Sequence, residues 1–439
     1  MLRDAYGHSL STSSRAAADA FDRGVEALLG FGAETVSSFE ASVAADPDFA
    51  LGHAGLAVSL YLAEKLDAGR AAIERAKALA TRVSAREQRH VETLALWVGG
   101  RGNDAIPLMK EHLLLHPRDM MIVQRLYFIY FWQGRSADML ALTSGILPAA
   151  PADSYTMGLH AFALEENRRF AEALPLAERA VARRPRDAWA IHAIAHVLYE
   201  RGENTRGASA LPPLIHPCGH LGYFKNHLMW HVALMRLAEG DYERARRLFT
   251  GVFGDIRIEV GSDLQDSVSL AWRLDLYGQP DPARWAHLGP AARGWLELPL
   301  LLFHDIHVGM ALAAAGDWTS AETQLGRLRD RGKKTRNRTL PEVVVPLLEG
   351  LHAFARGDHA GAAAAIAPIE SRIIEVGGSH AQREVFHDTL LEATLRAGDV
   401  DRSRALLERR LAKRPRPGVY WTDVAAPRLA AALDGRAPV

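Results

Sequence analysis

The sequence predicts an all-α fold, a solenoid of stacked helical hairpins. Three observations carry this. Ala, Leu, Arg and Glu dominate the 439 residues, and strand-like alternation of apolar and polar residues is nearly absent. A short signature, Gly-Asp and a bulky residue followed by Ala, recurs along the chain. Anchors at 102, 136 and 170 are 34 residues apart, the period expected of stacked helical hairpins.

The elements follow in order. Gly32 aligns with Phe39 and Pro47, and Gly102 with Ala105 and Pro117. Phe170, Ala173, Ala180 and Pro185 mark one clear second helix: an aromatic, small residues where helices touch, then a terminating Pro. Those offsets match the second helix of a tetratricopeptide repeat. Gly240-Asp241-Tyr242 leads to Ala245 and Phe249, and Gly316-Asp317-Trp318 to Ala321. Gly357-Asp358-His359 leads to Ala362, and Gly398-Asp399-Val400 to Leu407 and Pro415. The gaps of 72 and 76 residues before the last 41-residue steps read as two repeats each. Glycine tolerates the positive φ needed to reverse the chain between helices. A single hairpin cannot bury its apolar face, so stacking supplies the core. The expectation is eight to ten degenerate hairpins in one continuous solenoid spanning residues 1–439. The best strand candidate, Ile256 to Val260, is too short to found a sheet. Two long connections are expected: Leu211 to Asn226, rich in Pro and Gly, and Arg331 to Thr339, with five basic residues in nine, read as a solvated turn.

Composition excludes several classes. With 52 basic and 52 acidic residues the formal net charge is zero, which argues against a general grip on nucleic acid. One Cys rules out an intrachain disulfide and any multi-Cys zinc or iron–sulfur site. No apolar run approaches the roughly 18 residues of a membrane span. The start, Met1 to His8, lacks the apolar core of a signal peptide, so a cytoplasmic protein without a membrane partner is expected. Oligomeric state is not readable. The compositional oddity is 19 histidines.

Several segments resemble a known family. They are Trp189 to His196, His227 to His231, Asp266 to Arg273, Leu302 to His307 and Gly377 to Phe386, with Leu10 to Ser14 and His116 to Asp119. In the same order and over most of the chain, these are similar to segments of the tetratricopeptide repeat protein 38 family. The resemblance implies a curved α-solenoid and assigns no activity. His380 stands where Asn is also expected in that family, so the resemblance gives it no obligatory proton transfer.

The sharpest chemical feature is a pair of histidine pairs. His192 and His196 are four apart, as are His227 and His231, so each pair shares one helix face. The two pairs are offset by 35 residues, close to one repeat, which places four imidazoles at equivalent positions on adjacent hairpins. Both helices are first helices, which line the concave surface in this class of solenoid. Imidazoles at this spacing can hold a divalent metal, act as acid–base or hydrogen-bonding groups in a ligand pocket, or make polar contacts between repeats. The Glu that follows the first His in zinc proteases is absent: Ala193 and Leu228 stand there.

Asp266, Ser269 and Arg273 share the next helix face along the groove. Asp266 can orient an imidazole, and Arg273 can bind a carboxylate or phosphate, or the two can bridge each other. Asp305 and His307 are two residues apart, about 200° around a helix, so at most one joins the site. Gly377-Gly378-Ser379 opens a helix, with Ser379 and Gln382 spaced as a capping box. The functional alternative is an anion held by the helix amides, Ser379, His380 and Arg383. Cys218, between His216 and His220, reads as a free thiol in a surface connection. Trp189, Trp230, Trp272 and Trp285 flank these clusters as packing residues or pocket walls.

Two functional readings result. In the first, a concave pocket in residues 190–390 binds a small polar or anionic ligand, with an acid–base or metal-dependent enzyme as its catalytic form. His192, His196, His227, His231, Asp266, Asp305 and His307 are then the catalytic candidates, and Trp230, Ser269, Arg273, Ser379, His380 and Arg383 contact the ligand. In the second, the groove binds a peptide or protein and has no catalytic activity. No cofactor is required; a divalent metal is the one considered.

Overall fold

The structure is a computed structural model that describes residues 2–254, 260–297, 301–335 and 337–433. The candidate strand therefore falls, but for Val260, outside the described residues, as does Arg336 of the basic segment. Among the described residues there are α-helices, short 3-10 and π segments, and no strands.

The helices pair in chain order. First helices are α1 (Arg15–Leu29), α3 (Ala50–Leu62), α5 (Ala85–Val98), α7 (Met120–Trp132), α9 (Ser154–Glu166) and α11 (Ala188–Glu200). They continue with α13 (Phe224–Ala238), α15 (Gly261–Leu276), α17 (Leu302–Ala314), α19 (Val345–Ala355) and α21 (His380–Ala397). Second helices are α2 (Thr35–Ala45), α4 (Leu66–Ala80), α6 (Gly102–Leu115), α8 (Ser136–Ile146), α10 (Phe170–Arg183) and α12 (Asn204–Ile215). They continue with α14 (Tyr242–Phe249), α16 (Pro282–Arg293), α18 (Trp318–Lys334), α20 (His359–Ile366) and α22 (Val400–Lys413). Helix α23 (Ala426–Leu433) follows the last pair. Among the described residues the 23 helices thus make eleven hairpins with one helix over, more than the eight to ten expected. No helix among the described residues is long and apolar enough to cross a membrane.

The Gly-Asp signature has a double role. Gly240, Gly316, Gly357 and Gly398 all adopt left-handed φ, between +73° and +82°. The Asp that follows each caps the second helix, accepting from the backbone N–H of Arg244, Ser320, Gly361 and Arg402. Each such cap contributes about 0.5–2 kcal/mol. Every hairpin turn holds one left-handed residue, and in three of them it is not glycine: Phe31, Glu64 and Arg168. The α3/α4 hairpin carries no signature because Glu64 replaces the glycine, which is why the repeats outnumber their visible anchors.

Those three residues cost about 1–3 kcal/mol each in backbone strain, and each reaches a distant part of the chain. Phe31 stacks on Phe224 and Trp189 at centroid distances of 4.2 and 5.5 Å. Glu64 accepts from the Gly261 backbone N–H at 3.1 Å. Arg168 donates to the Lys413 carbonyl. Further closures lie beside them. Tyr199 and Arg414 both bond Glu384, at 2.6 and 3.1 Å. The α1 end meets α7, where the Gln124 amide donates to Leu28 O at 3.1 Å. The turn edge of the early hairpins is therefore covered by residues returning from 261 and 374–419.

This closure changes the environment of the first helices. They stack on one another as a wall, α9 on α11 on α13 on α15 on α17. In an open solenoid one face of that wall meets water. Here all thirteen residues of α11 are buried, because α21 packs against α11 and α15 from the concave side. A helix covered on every side is the mark of an interior element.

The two expected long connections are shorter than the sequence suggests. Helix α12 continues through Pro212 and Pro213 to Ile215, held by the buried Leu211 and Ile215, and α13 begins at Phe224. Helix α18 continues to Lys334, where basic side chains complement the helix C-terminus.

Candidate functional site

The four histidines meet. Offsets of four and of nearly one repeat bring α11 and α13 side chains into one cluster, as their spacing implies. Ring centroids lie 4.4 Å apart for His192 and His196, 4.5 Å for His196 and His231, and 4.9 Å for His192 and His227. They lie on the concave wall, but the returning chain buries them: His196 and His231 have no exposed surface. Phe162, Trp189, Phe224 and Trp230 wall the cluster, Trp230 stacked on His227 at 5.4 Å.

A directed hydrogen-bond chain runs through it. Asp266 Oδ2 lies 2.7 Å from His227 Nδ1, and His227 Nε2 lies 3.0 Å from His192 Nε2. A carboxylate oxygen only accepts, so His227 carries its proton on Nδ1 and presents a lone pair at Nε2. His192 Nε2–H then donates to that lone pair. This leaves His192 Nδ1 as a bare lone pair, and it has no partner in the protein. Both nitrogens of His196 and both of His231 also lack partners. Burial, then the neighbouring imidazoles, hold His192, His196 and His231 well below the usual histidine pKa, so they are neutral at pH 7.

Arg273 does not bridge to Asp266. Its guanidinium donates to Ser269 and, at 2.7 Å, to Ala381 O, and it lies 5.6 Å from the centre of the Trp230 ring. Among the described residues no carboxylate pairs with it, and its Nε has no partner. It is 1% exposed. A buried guanidinium bonded only to neutral oxygens lacks a direct ion pair, although the Glu384 and Asp388 carboxylates lie close enough to feel its charge. Beside it lies a cavity of about 10 Å³, lined in part by Tyr199, Tyr277 and Tyr420, room for about one water molecule.

The start of α21 is built as the capping-box spacing suggests: Ser379 accepts from Gln382 N–H and the Gln382 side chain accepts from Ser379 N–H. The anion expected there is supplied by the chain itself. Glu166 Oε1 accepts from the His380 backbone N–H at 2.9 Å, and Oε2 lies 3.4 Å from Arg383. Glu166 thus takes the place of a ligand at this helix terminus. His380 Nε2 reaches Glu166 O at 3.1 Å.

On α17 the two candidates part company. His307 turns toward Phe386, its Nδ1 donating to Phe303 O at 2.8 Å, and burial lowers its pKa to about 3. Asp305 turns away and pairs with Arg331 at 3.0 Å; burial pushes it up to about 6. Of the tryptophans outside the cluster, Trp272 donates to Thr389 and Trp285 to Asp275. Cys218 is buried, not on the surface; its thiol donates to Leu214 O and burial raises its pKa, the opposite of what a nucleophile needs.

Two groups escaped the sequence reading. Glu165 is fully buried with both oxygens unpaired, 3.6 Å from His196 Nδ1. Burial, then Glu166 and Glu200, raise its pKa well above the usual range. The one signal was spacing: Glu166 and Glu200 are 34 residues apart. The second is Asp119, whose Oδ2 accepts from His90 and His112 at 2.9 Å each and from Arg86 at 3.2 Å. Burial alone would raise this carboxyl; the two histidines hold it well below the ordinary range. Arg86 also bonds Ser9 O, so this cluster fastens the N-terminal segment.

No family model matches the chain. Among solved structures, the chain is similar to one in "Structure of Naa15/Naa10 bound to HypK-THB", with 13% identity over 89% of this chain and 68% of that one. The TM-score of 0.23 is too low to carry an argument about fold or function. The tetratricopeptide-like helical repeat rests on the hairpins themselves.

Proposed function

We propose that the enclosed centre is a binding site for a small anionic molecule, with histidines placed for acid–base chemistry. The reading takes residues 1–439 as one continuous solenoid that closes around this site. The carrying observation is Arg273, a buried guanidinium with no salt-bridge partner among the described residues, on the helix that also presents Asp266 to the histidines. A scaffold gains nothing from such a group, which costs several kcal/mol to bury unpaired. An anion seated against it removes that cost. The cavity holds about one water molecule, so even an inorganic anion requires its walls, residues 417–421 among them, to move.

In the catalytic form, His192 Nδ1 is the base. Its lone pair is fixed by the Asp266–His227 chain, and a proton taken there leaves an imidazolium that the chain stabilises. His196, His231 and His307 complete the acid–base set, and Ser269 and Trp230 position Arg273. Five of the seven segments that resemble the tetratricopeptide repeat protein 38 family lie around this centre, which supports reading the chain as similar to that family. A peptide-binding scaffold needs an open concave face; here α21 and Phe31 lie across it.

The test is a thermal-shift panel of phosphate, sulfate, acetate and small dicarboxylates on the wild type, Arg273→Met and Arg273→Lys. At least one anion is expected to stabilise the wild type, by about 2.7 kcal/mol at 100 times its Kd. Arg273→Met should lose that shift and Arg273→Lys should keep part of it. An anion effect of equal size in all three, or none in the wild type, overturns the reading.

A further inference from the structure

The cluster of unpaired imidazoles has the makings of a metal centre. His192, His196 and His231 each offer a nitrogen, and these atoms all lie within 4.8 Å of one another. Ligands at about 2.0–2.1 Å in a tetrahedral zinc site sit about 3.3 Å apart, so small side-chain rotations close the set. One of the remaining nitrogens is engaged from outside, and a second faces a carboxyl group. His192 Nε2 is held by His227, itself held by Asp266. His196 Nδ1 faces Glu165 at 3.6 Å. One nitrogen of each of His192, His196 and His231 is thus near enough to the other two to share an ion. Carboxylates that orient metal-bound imidazoles through the far nitrogen are the usual support of such sites. Five orphaned nitrogens in a dry cluster otherwise cost about 1–3 kcal/mol for each unmet donor.

We propose that His192, His196 and His231 bind a divalent transition-metal cation, zinc by preference, with Asp266–His227 and Glu165 as positioning groups. Three neutral nitrogen donors without thiolate suit Zn²⁺ and exclude iron–sulfur chemistry. Three protein ligands leave a fourth position open. Arg273 lies over the Trp230 ring, which packs edge-on against His231. An anion at the open position would meet both charges. The inference rests on the proposed function's premise that the enclosed centre is a site and does not require that an anion binds; with a metal on its Nδ1 lone pair, His192 is a ligand and not the base.

The experiment uses untagged full-length protein, stripped with chelator and titrated with Zn²⁺. Metal is read by mass spectrometry and geometry by X-ray absorption on the zinc-loaded wild type. One tightly bound zinc per chain is expected, with nitrogen or oxygen neighbours at about 2.0–2.1 Å and no sulfur. His231→Ala should weaken binding at least 100-fold, and the positioning variant Asp266→Asn 10–100-fold. His112→Asn, at the separate Asp119 cluster, should leave binding unchanged. If His231→Ala does not fold, the absorption spectrum of the wild type decides through its count of imidazoles. No stoichiometric zinc, zinc retained in His231→Ala, or zinc lost in His112→Asn overturns the proposal. The anion panel repeated on stripped protein separates the two readings: Arg273-dependent shifts without zinc binding defeat the metal site alone.

Discussion

Glu166→Ala is expected to cost about 3–5 kcal/mol and to loosen α21 first. Glu166 is the counter-charge of Arg383 and the acceptor of the first α21 amide, and both contacts cross the closure of the solenoid. Removing it strands a buried guanidinium and a helix N-terminal donor together. Glu166→Gln, which keeps a carbonyl oxygen for the His380 amide, should lose less, about 1–3 kcal/mol. Hydrogen exchange reads this directly: α21 and α22 should lose protection while α3 and α5 keep theirs. Uniform loss over the chain, or none, would show that Glu166 does not hold the closure.

Gly377→Ala is expected to have a comparable effect for a different reason. Gly377 has φ of +84°, and an added Cβ would lie 2.6 Å from Trp132 O on the facing segment. Left-handed strain and overpacking each cost about 1–3 kcal/mol, so the sum is about 2–6 kcal/mol. Gly357→Ala is the control: its φ is +82° but nothing lies within 4 Å of the new Cβ. It should cost only the backbone strain. Denaturant melts of the two variants separate the seam from the turn. Equal losses would mean that Trp132 yields and the seam is soft.

What the sequence made legible follows from how local each feature is. The Gly-Asp turns and their Asp caps act within five residues, so the hairpins could be read from them. The α3/α4 hairpin was missed because Glu64 holds a left-handed turn for the sake of a contact 197 residues away. The histidine quartet was legible because a 35-residue offset is nearly one repeat, and repeats stack in register. Its burial was not legible, since it depends on α21 returning to the concave wall. Glu165 and Glu166 look like a solvated helix end until that return encloses them. The same return explains the α21 terminus: the sequence allows a capping box or an external anion there, and the structure has the capping box, with Glu166, 214 residues earlier, accepting from the His380 amide. Asp305 was separable from His307 by helix geometry alone, but its partner Arg331 was assigned to a loop.

The most direct measurement is a crystal structure of the untagged protein at a resolution that shows ions and ordered ligands. The account predicts a bound species between Arg273 and the imidazoles of His192, His196 and His231, within bonding distance of nitrogens that have no partner in the protein. An interior in which those imidazoles pair with one another, and Arg273 with a carboxylate of the chain, would contradict it and reduce the centre to core packing.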